Sequence, residues 1–160
     1  SQGVLRVDIK ALGQCTTRLQ QVEQGVTARV QGPFGQELDD ASGQPCLWLA
    51  GGMGITPFLA ALRGGPLRQD TVLVHAHRPG DALFVEELRA RADTDPLLHW
   101  VEVDDERPNW PALLAAVPSL KERRLRACGP PPMVEAVRQA LERAGLSGDL
   151  LQVDRFDLRH

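Results

Sequence analysis

The feature that most constrains the fold of this chain is an apolar run that enters a glycine-rich turn, LWLAGGMGITP at residues 47–57. The run Leu47–Ala50 is short and continuously apolar, which is typical of a strand in a parallel sheet covered on both faces. Gly51, Gly52 and Gly54 follow, and their missing side chains permit a tight turn and a close approach of backbone N–H groups to a ligand. The stretch therefore predicts a buried strand that ends in a backbone-lined turn.

A helix is predicted to start at the end of this turn. Thr56 is a suitable N-cap, and Pro57 fits the first helical position, where a missing N–H costs nothing. The positive end of that helix would favour an anion such as a pyrophosphate at the carboxyl edge of the sheet. The alternative is a strand–helix turn that binds nothing, since the third glycine of the G-x-G-x-x-G pattern is absent.

Beyond Leu38 the chain alternates strand-like and helix-like segments. A second continuous apolar run is Val72–Val74. Helices are predicted to begin at Pro57, near Ala82, near Asn109 and near Pro131, the last of them stopping at Gly145. This alternation predicts an α/β fold with a doubly wound, mostly parallel sheet.

The first 38 residues follow a different pattern. Leu5, Val7 and Ile9 alternate with charged residues, and residues 26–31 alternate in the same way, which is typical of half-buried antiparallel strands. Residues 32–46 are rich in Gly, Asp, Ser and Pro and are predicted to form a connection. We place a boundary near Leu38, which divides the chain into units 1–38 and 39–160.

Composition narrows the classes of function. The formal net charge is -3, no Lys/Arg-rich block is present and tyrosine is missing, so we expect no nucleic-acid partner. The 3 cysteines match neither a zinc nor an iron–sulfur spacing, and their odd number favours a reducing compartment. The sequence shows neither a signal peptide nor an apolar stretch of membrane-spanning length, so we expect a soluble chain.

A second turn has the same character as the first. The segment RACGPPPMVEAVRQAL, residues 126–141, predicts a strand end at Cys128, a turn at Gly129 and an amphipathic helix after the prolines. In a parallel sheet both turns would open at the same edge and could flank one crevice. The alternative for Cys128 is a small buried residue at a strand end.

Together, the GGMGITP and CGPPPM motifs resemble the nicotinamide-nucleotide domain of the ferredoxin–NADP reductase superfamily, and the branch they are most similar to is the ferric reductase and NADPH oxidase group. Three further segments carry the resemblance: LGQCTTRL at 12–19, VTARVQGPFG at 26–35 and VDRFDLR at 153–159. The resemblance implies a five-stranded nucleotide-binding sheet in 39–160, preceded in 1–38 by the last antiparallel strands of a truncated flavin-binding barrel.

The resemblance also implies an activity and a set of site residues. Hydride would pass from NADPH, or from NADH, to FAD, and single electrons would then pass to haem, ferric iron or another acceptor. Cys128 would lie beside the nicotinamide C4, and Asp154, in place of the family's glutamate, would orient the ring or the cysteine. The residues implied in cofactor binding are Gly51, Gly52, Gly54, Ile55, Thr56, Pro57, Arg78, Gly129, Pro130, Pro131 and Met133 for the nucleotide, with Thr16 and Phe156 for the flavin.

Two of these assignments have open alternatives. Arg78, after the second parallel strand, could grip the 2′-phosphate of NADPH, but it could also be a solvated loop residue, and the nearby Asp81 would favour NADH. Phe156 is equally consistent with a core aromatic. His75 and His77 have alternate spacing without other metal ligands nearby, and we interpret them as polar strand-edge residues rather than a metal site.

The resemblance further implies missing parts. The family's flavin motif, Arg-x-[YF]-[ST], would precede residue 1, so we expect a C-terminal piece of a membrane flavoprotein, facing the cytoplasm and poorly active alone. Its partners would be the flavin-binding segment and haem-bearing membrane segments. The alternatives are a soluble electron-transfer subunit, which would normally carry clustered iron–sulfur cysteines, and a nucleotide sensor without catalysis.

Overall fold

The computed structural model describes residues 5–11, 13–31, 38, 42–81, 83–105 and 107–154. The chain divides into two compact units, Ser1–Gln36 and Glu37–His160. In the described part of the first unit, one helix is present, α1 (Gln14–Leu19).

The prediction of antiparallel strands at the start of the chain is wrong for the described residues. Residues 5–10 and 26–31 form neither helix nor strand, and Leu5, Val7 and Val26 are exposed. A two-stranded ribbon with no third strand or helix on its apolar face is only marginally stable in water, so alternation alone does not produce a ladder. That this unit belongs to a flavin-binding barrel stays a prediction.

The second unit is built on a five-stranded parallel sheet. Its strands are β1 (Cys46–Gly51), β2 (Thr71–His77), β3 (Leu98–Asp104), β4 (Arg124–Cys128) and β5 (Leu151–Asp154). They lie in the order β3-β2-β1-β4-β5, and each neighbouring pair is parallel. The predicted fold class is confirmed for this unit.

The predicted helices are present close to the expected starts. They are α2 (Thr56–Gly64), α3 (Val85–Thr94), α4 (Trp110–Ala115) and α5 (Pro131–Arg143). Asn109 caps α4 by accepting a hydrogen bond from the Ala112 N–H at 3.2 Å, and Gly145 follows α5 with a left-handed φ of 77°. None of the helices in the described ranges has the length and apolar content that a membrane crossing requires.

Every residue of β1 and β2 is buried, because helices cover the sheet on both faces. One core joins Leu47 and Leu49 to α4 and α5. The other joins Trp48 to α2 and α3, and the Trp48 ring stacks on Phe58 with ring centroids 5.2 Å apart. This three-layer packing explains why the strand sequences are continuously apolar instead of alternating.

The strand order reverses between β1 and β4. From β1 the chain moves to β2 and β3 on one side, and it then crosses to β4 and β5 on the other. The carboxyl ends of β1 and β4 therefore form a topological switch point, where open α/β sheets leave a crevice for ligands. Both glycine-bearing turns of the sequence lie at this position.

Candidate functional site

The two turns at the switch point pack directly on each other. After β1 the chain forms a short 3-10 helix, Gly52–Ile55, before α2, and after β4 it turns at Gly129. A Cβ added to Gly54 would overlap the carbonyl group of Cys128 and lie 2.9 Å from the Gly129 nitrogen. Glycine is therefore required at position 54 for the contact between backbones.

Gly51 and Gly129 are close to each other and to Met133 at the start of α5. A Cβ added to Gly51 would overlap the Met133 sulfur, and one added to Gly129 would lie 2.8 Å from the Met133 Cε and 3.1 Å from the Gly51 Cα. Gly51, Gly54 and Gly129, three of the four glycines in these turns, thus avoid clashes with other atoms of the protein. Their contact with a nucleotide stays a prediction.

Gly52 is different, because a Cβ added to it would meet nothing within 4 Å. Its φ is +52°, in the left-handed region that side chains other than Asn and Asp rarely adopt. The residue is half-buried, at the end of β1 and at the start of the 3-10 helix that leads into α2. Gly52 is therefore the position where the turn offers both an unusual backbone and free space to a ligand.

The predicted N-cap of α2 is wrong. Thr56 is the first helical residue and Ile55 is the N-cap, because the Thr56 hydroxyl donates to the Met53 carbonyl at 3.0 Å instead of capping the helix. Pro57 is the second helical residue and not the first, but it still lies in the first turn, where a missing N–H costs nothing. Ile55 is fully buried in the core with Phe58, so its side chain anchors the turn to the core.

Cys128 and Asp154 end neighbouring strands and are paired in register. The Cys128 side chain is fully buried, and Asp154 is half-buried. Burial, and secondarily the charge of Asp154, raises the pKa of the Cys128 thiol to about 12. The thiol is therefore neutral at physiological pH, which is consistent with a packing role and excludes a resting thiolate nucleophile.

This burial predicts a difference in reactivity between two free thiols. At pH 8, iodoacetamide is expected to alkylate the exposed Cys15 on the order of 100-fold or more faster than Cys128, because alkylation needs an accessible thiolate. Peptide mass spectrometry over time gives both rates, and labelling in denaturant, where the rates should converge, is the control. Equal rates in the native chain would contradict the burial of Cys128.

Arg78 directly follows β2 and is exposed at the same edge of the sheet. Its carbonyl accepts a hydrogen bond from the Asp81 N–H at 2.9 Å and lies 3.1 Å from the His77 Nδ1. The other His77 nitrogen lies 3.2 Å from a carboxylate oxygen of Glu102 on β3. A buried histidine thus holds the backbone of Arg78, and a role for Arg78 in nucleotide choice stays a prediction.

The interpretation of His75 and His77 as strand-edge residues is wrong. Both are buried, on the face of β2 that packs on the core containing Trp48. Alternate spacing places two strand residues on the same face, but it cannot tell what covers that face. The contact that sequence reasoning missed is between His75 Nε2 and the Gly52 carbonyl oxygen, 3.3 Å apart.

Residues 48–139, more than half of the chain, match the family described as oxidoreductase NAD-binding domain. The chain belongs to this family. Its match begins within β1 and ends within α5, so it includes both turns and the switch point between them.

Two curated relatives are similar to this chain over most of its length. One is the sulfhydrogenase 1 subunit gamma of Pyrococcus furiosus, which is 29% identical over 157 residues, with 88% of this chain and 54% of the relative covered. The other is the ferredoxin reductase component of 3-ketosteroid-9-alpha-monooxygenase from Rhodococcus rhodochrous, 30% identical over 140 residues, with coverages of 83% and 40%. The chain therefore spans about half the length of the curated relatives it matches.

A solved structure has the same fold as the NAD-binding domain. The flavohemoglobin of Malassezia yamatoensis, determined with bound FAD and haem, is 20% identical with a TM-score of 0.77, covering 94% of this chain and 43% of its own. This likeness shows the fold, and the nicotinamide-nucleotide domain predicted from GGMGITP and CGPPPM is confirmed by the family match as an oxidoreductase NAD-binding domain.

Of the two predicted flavin residues, Thr16 is described and Phe156 is not. Thr16 belongs to α1 in the first unit, where its hydroxyl donates to the Gly13 carbonyl at 3.1 Å and accepts from the Gly13 N–H at 3.0 Å. Phe156 lies outside the described residues.

Pro130 and Pro131, which were predicted to contact the nucleotide, are exposed at the start of α5, beside Gly129.

Proposed function

We propose that this chain is the NAD(P)H-binding part of a flavin-dependent oxidoreductase. The observation that carries the proposal is Gly52, a left-handed and sterically open glycine at the switch point of an oxidoreductase NAD-binding domain. Its backbone lies at the start of the 3-10 helix, where the first N–H groups have no helical partners, which favours a pyrophosphate.

The residues on the β4 side fit a flat nicotinamide ring. Cys128 and Asp154 end adjacent strands next to the turns, and a small neutral side chain allows close packing without adding a charge. When bound, the nicotinamide supplies a hydride and FAD accepts it as an electron pair. In this proposal Cys128 and Asp154 position the ring, and Thr16 and Phe156 contact the flavin.

We further propose that NADPH is the preferred donor. Arg78 is exposed after β2, and a guanidinium suits the extra phosphate of NADPH through paired hydrogen bonds. Asp81 is also exposed nearby and would favour NADH. The preference can be read as the ratio of the two nucleotide affinities.

The electron acceptor divides the proposal into two forms. In the first, the parent protein is a ferric reductase or NADPH oxidase-like membrane flavoprotein, this chain faces the cytoplasm, and single electrons go to haem or ferric iron. In the second, the chain is part of an electron-transfer subunit that serves a separate enzyme. The second form is favoured by the two relatives reported above, which are named as a subunit and as a reductase component.

The first test is a calorimetric titration of the chain with NADP⁺ and NAD⁺ in parallel. We expect saturable binding, tighter for NADP⁺, and a loss of affinity of about 10-fold or more in Gly52→Asp, because a carboxylate there would occupy the open space and repel the pyrophosphate. Aspartate tolerates the left-handed region, so this variant should fold.

The matched control is Gly145→Asp. Gly145 also has a left-handed φ, +77°, and open space around it, but it follows α5 and not one of the two turns. Gly145→Asp should therefore carry a similar backbone strain and leave nucleotide affinity unchanged. If neither nucleotide binds to the unmodified chain, the proposal is refuted. If the two variants lose nucleotide affinity equally, the nucleotide does not bind at Gly52.

A further inference from the structure

His75 is a fully buried polar residue in the middle of an apolar sheet. Its Nε2 lies 3.3 Å from the Gly52 carbonyl oxygen. A carbonyl oxygen only accepts hydrogen bonds, so Nε2 must carry the proton and donate it. The ring therefore binds the backbone of the open glycine from the core side of the turn.

The second nitrogen of the His75 ring makes no hydrogen bond that would stabilise it. Its Nδ1 is buried and has no hydrogen-bond partner among the described residues. Burial lowers the pKa of His75 to about 4, so the ring is neutral near pH 7 and has a single N–H, the one that faces Gly52. An apolar side chain of similar size would avoid the cost of the unpaired nitrogen, so the bond to Gly52 is the specific contribution of histidine.

Two titratable side chains, those of His77 and Glu102, lie near the His75 ring. The His77 ring, on the same strand face, has its centroid 5.1 Å away, and Glu102 is the register partner of His75 on β3. Among the described residues, neither of these side chains forms a hydrogen bond with the His75 ring. The Gly52 carbonyl is thus the hydrogen-bond partner that the described residues give to His75.

We propose that His75 is a positioning residue for nucleotide binding, which fixes the Gly52–Met53 peptide so that its N–H faces the ligand. In a trans peptide the C=O and the following N–H point in opposite directions. With the Gly52 carbonyl held toward β2, the Met53 N–H must point away from the sheet core. This inference rests on the proposed function, because it assigns a cause to the shape of the pyrophosphate-binding turn.

Two substitutions at His75 test this role. His75→Leu removes the donor, whereas His75→Gln keeps an N–H that can reach the same carbonyl. We expect His75→Leu to weaken NADP⁺ binding by about 3-fold to 10-fold, the usual loss for one hydrogen bond, and His75→Gln to restore most of it. Binding of 2′-AMP, which lacks the pyrophosphate, should change in neither variant.

Leu73→Val is the matched control for packing. Leu73 is also fully buried, on the same face of β2 two residues earlier, and it belongs to the core and not to the turn. This variant should lower the thermal midpoint and leave the NADP⁺ affinity unchanged. A merely structural role for His75 would make Leu73→Val and His75→Leu indistinguishable in binding, which would overturn the inference.

A measurement on the unmodified chain tests the inference even if the His75 variants do not fold. In a ¹⁵N–¹H correlation of the imidazole at pH 7, the proton should be on Nε2, and the resonance should shift when NADP⁺ is added. A proton on Nδ1, or a His75→Leu variant that binds NADP⁺ like the unmodified chain, would overturn the inference and leave the proposed function intact. A chain that binds neither NADP⁺ nor NAD⁺ would remove both.

Discussion

Gly54→Ala is expected to destabilise the parallel-sheet unit by about 4 kcal/mol or more, the range of severe overpacking. The added Cβ would overlap the carbonyl group of Cys128, which is backbone held between β1 and β5 and cannot rotate away. Urea denaturation followed by circular dichroism measures the free energy of unfolding. The Gly54→Ala variant should also lose NADP⁺ binding, because the turn cannot close on β4.

The control for this prediction is Gly64→Ala. Gly64 is the last residue of α2, and a Cβ added to it would meet nothing within 4 Å. Alanine should change the free energy of unfolding by no more than about 1 kcal/mol, in the stabilising direction. A Gly54→Ala variant as stable as Gly64→Ala would show that the turn does not rest on the Cys128 backbone.

Arg123→Met is the second large effect, with an expected loss of about 2–4 kcal/mol in the free energy of unfolding, because several hydrogen bonds of a buried guanidinium are removed. The Arg123 side chain is 4% exposed and pairs with the carboxylate of Asp70, whose side chain is 35% exposed. It also donates to the carbonyls of Pro118 at 2.8 Å, Cys46 at 3.0 Å and Asp70 at 3.3 Å. Methionine would fill part of the space but leave buried acceptors and a carboxylate without this donor.

Arg63→Met is the matched control for the loss of a guanidinium. Arg63 also binds a carboxylate, with its Nε 2.6 Å from Glu87, but the two side chains are 30% and 39% exposed. A solvated pair of this kind contributes at most about 1 kcal/mol. Comparable losses in the two variants, measured by the same denaturation, would mean that the buried network around Arg123 does not act as described.

The sequence was sufficient to predict the architecture of the second unit. Continuous apolar runs at 47–50 and 72–74 require cover on both faces, and the helix starts near Asn109 and Pro131 follow from capping chemistry. The first unit was mispredicted, because residues 5–10 alternate correctly but strand formation also needs a partner and a covered face. The alternation of apolar and polar residues within one segment does not show whether a partner strand and a covered face are present.

In the candidate site, too, the sequence predicted some features and could not predict others. Both turns and their position at one sheet edge follow from GGMGITP, CGPPPM and parallel topology. The reason for each glycine does not, because only the folded backbone shows that Gly54 accommodates Cys128 whereas Gly52 opens to a ligand. The burial of His75 was hidden for a related reason, since a period of two assigns residues to a face without saying what covers it.

The contact between the two turns has a consequence for the energetics of binding. A Cβ on Gly54 would overlap the Cys128 backbone, and the Met133 side chain occupies the space beside Gly51 and Gly129. The walls of the crevice therefore cannot shift independently, and their shape is set before any nucleotide arrives. A ligand that enters such a preorganised cleft orders few new degrees of freedom, so more of its interaction energy is retained as affinity.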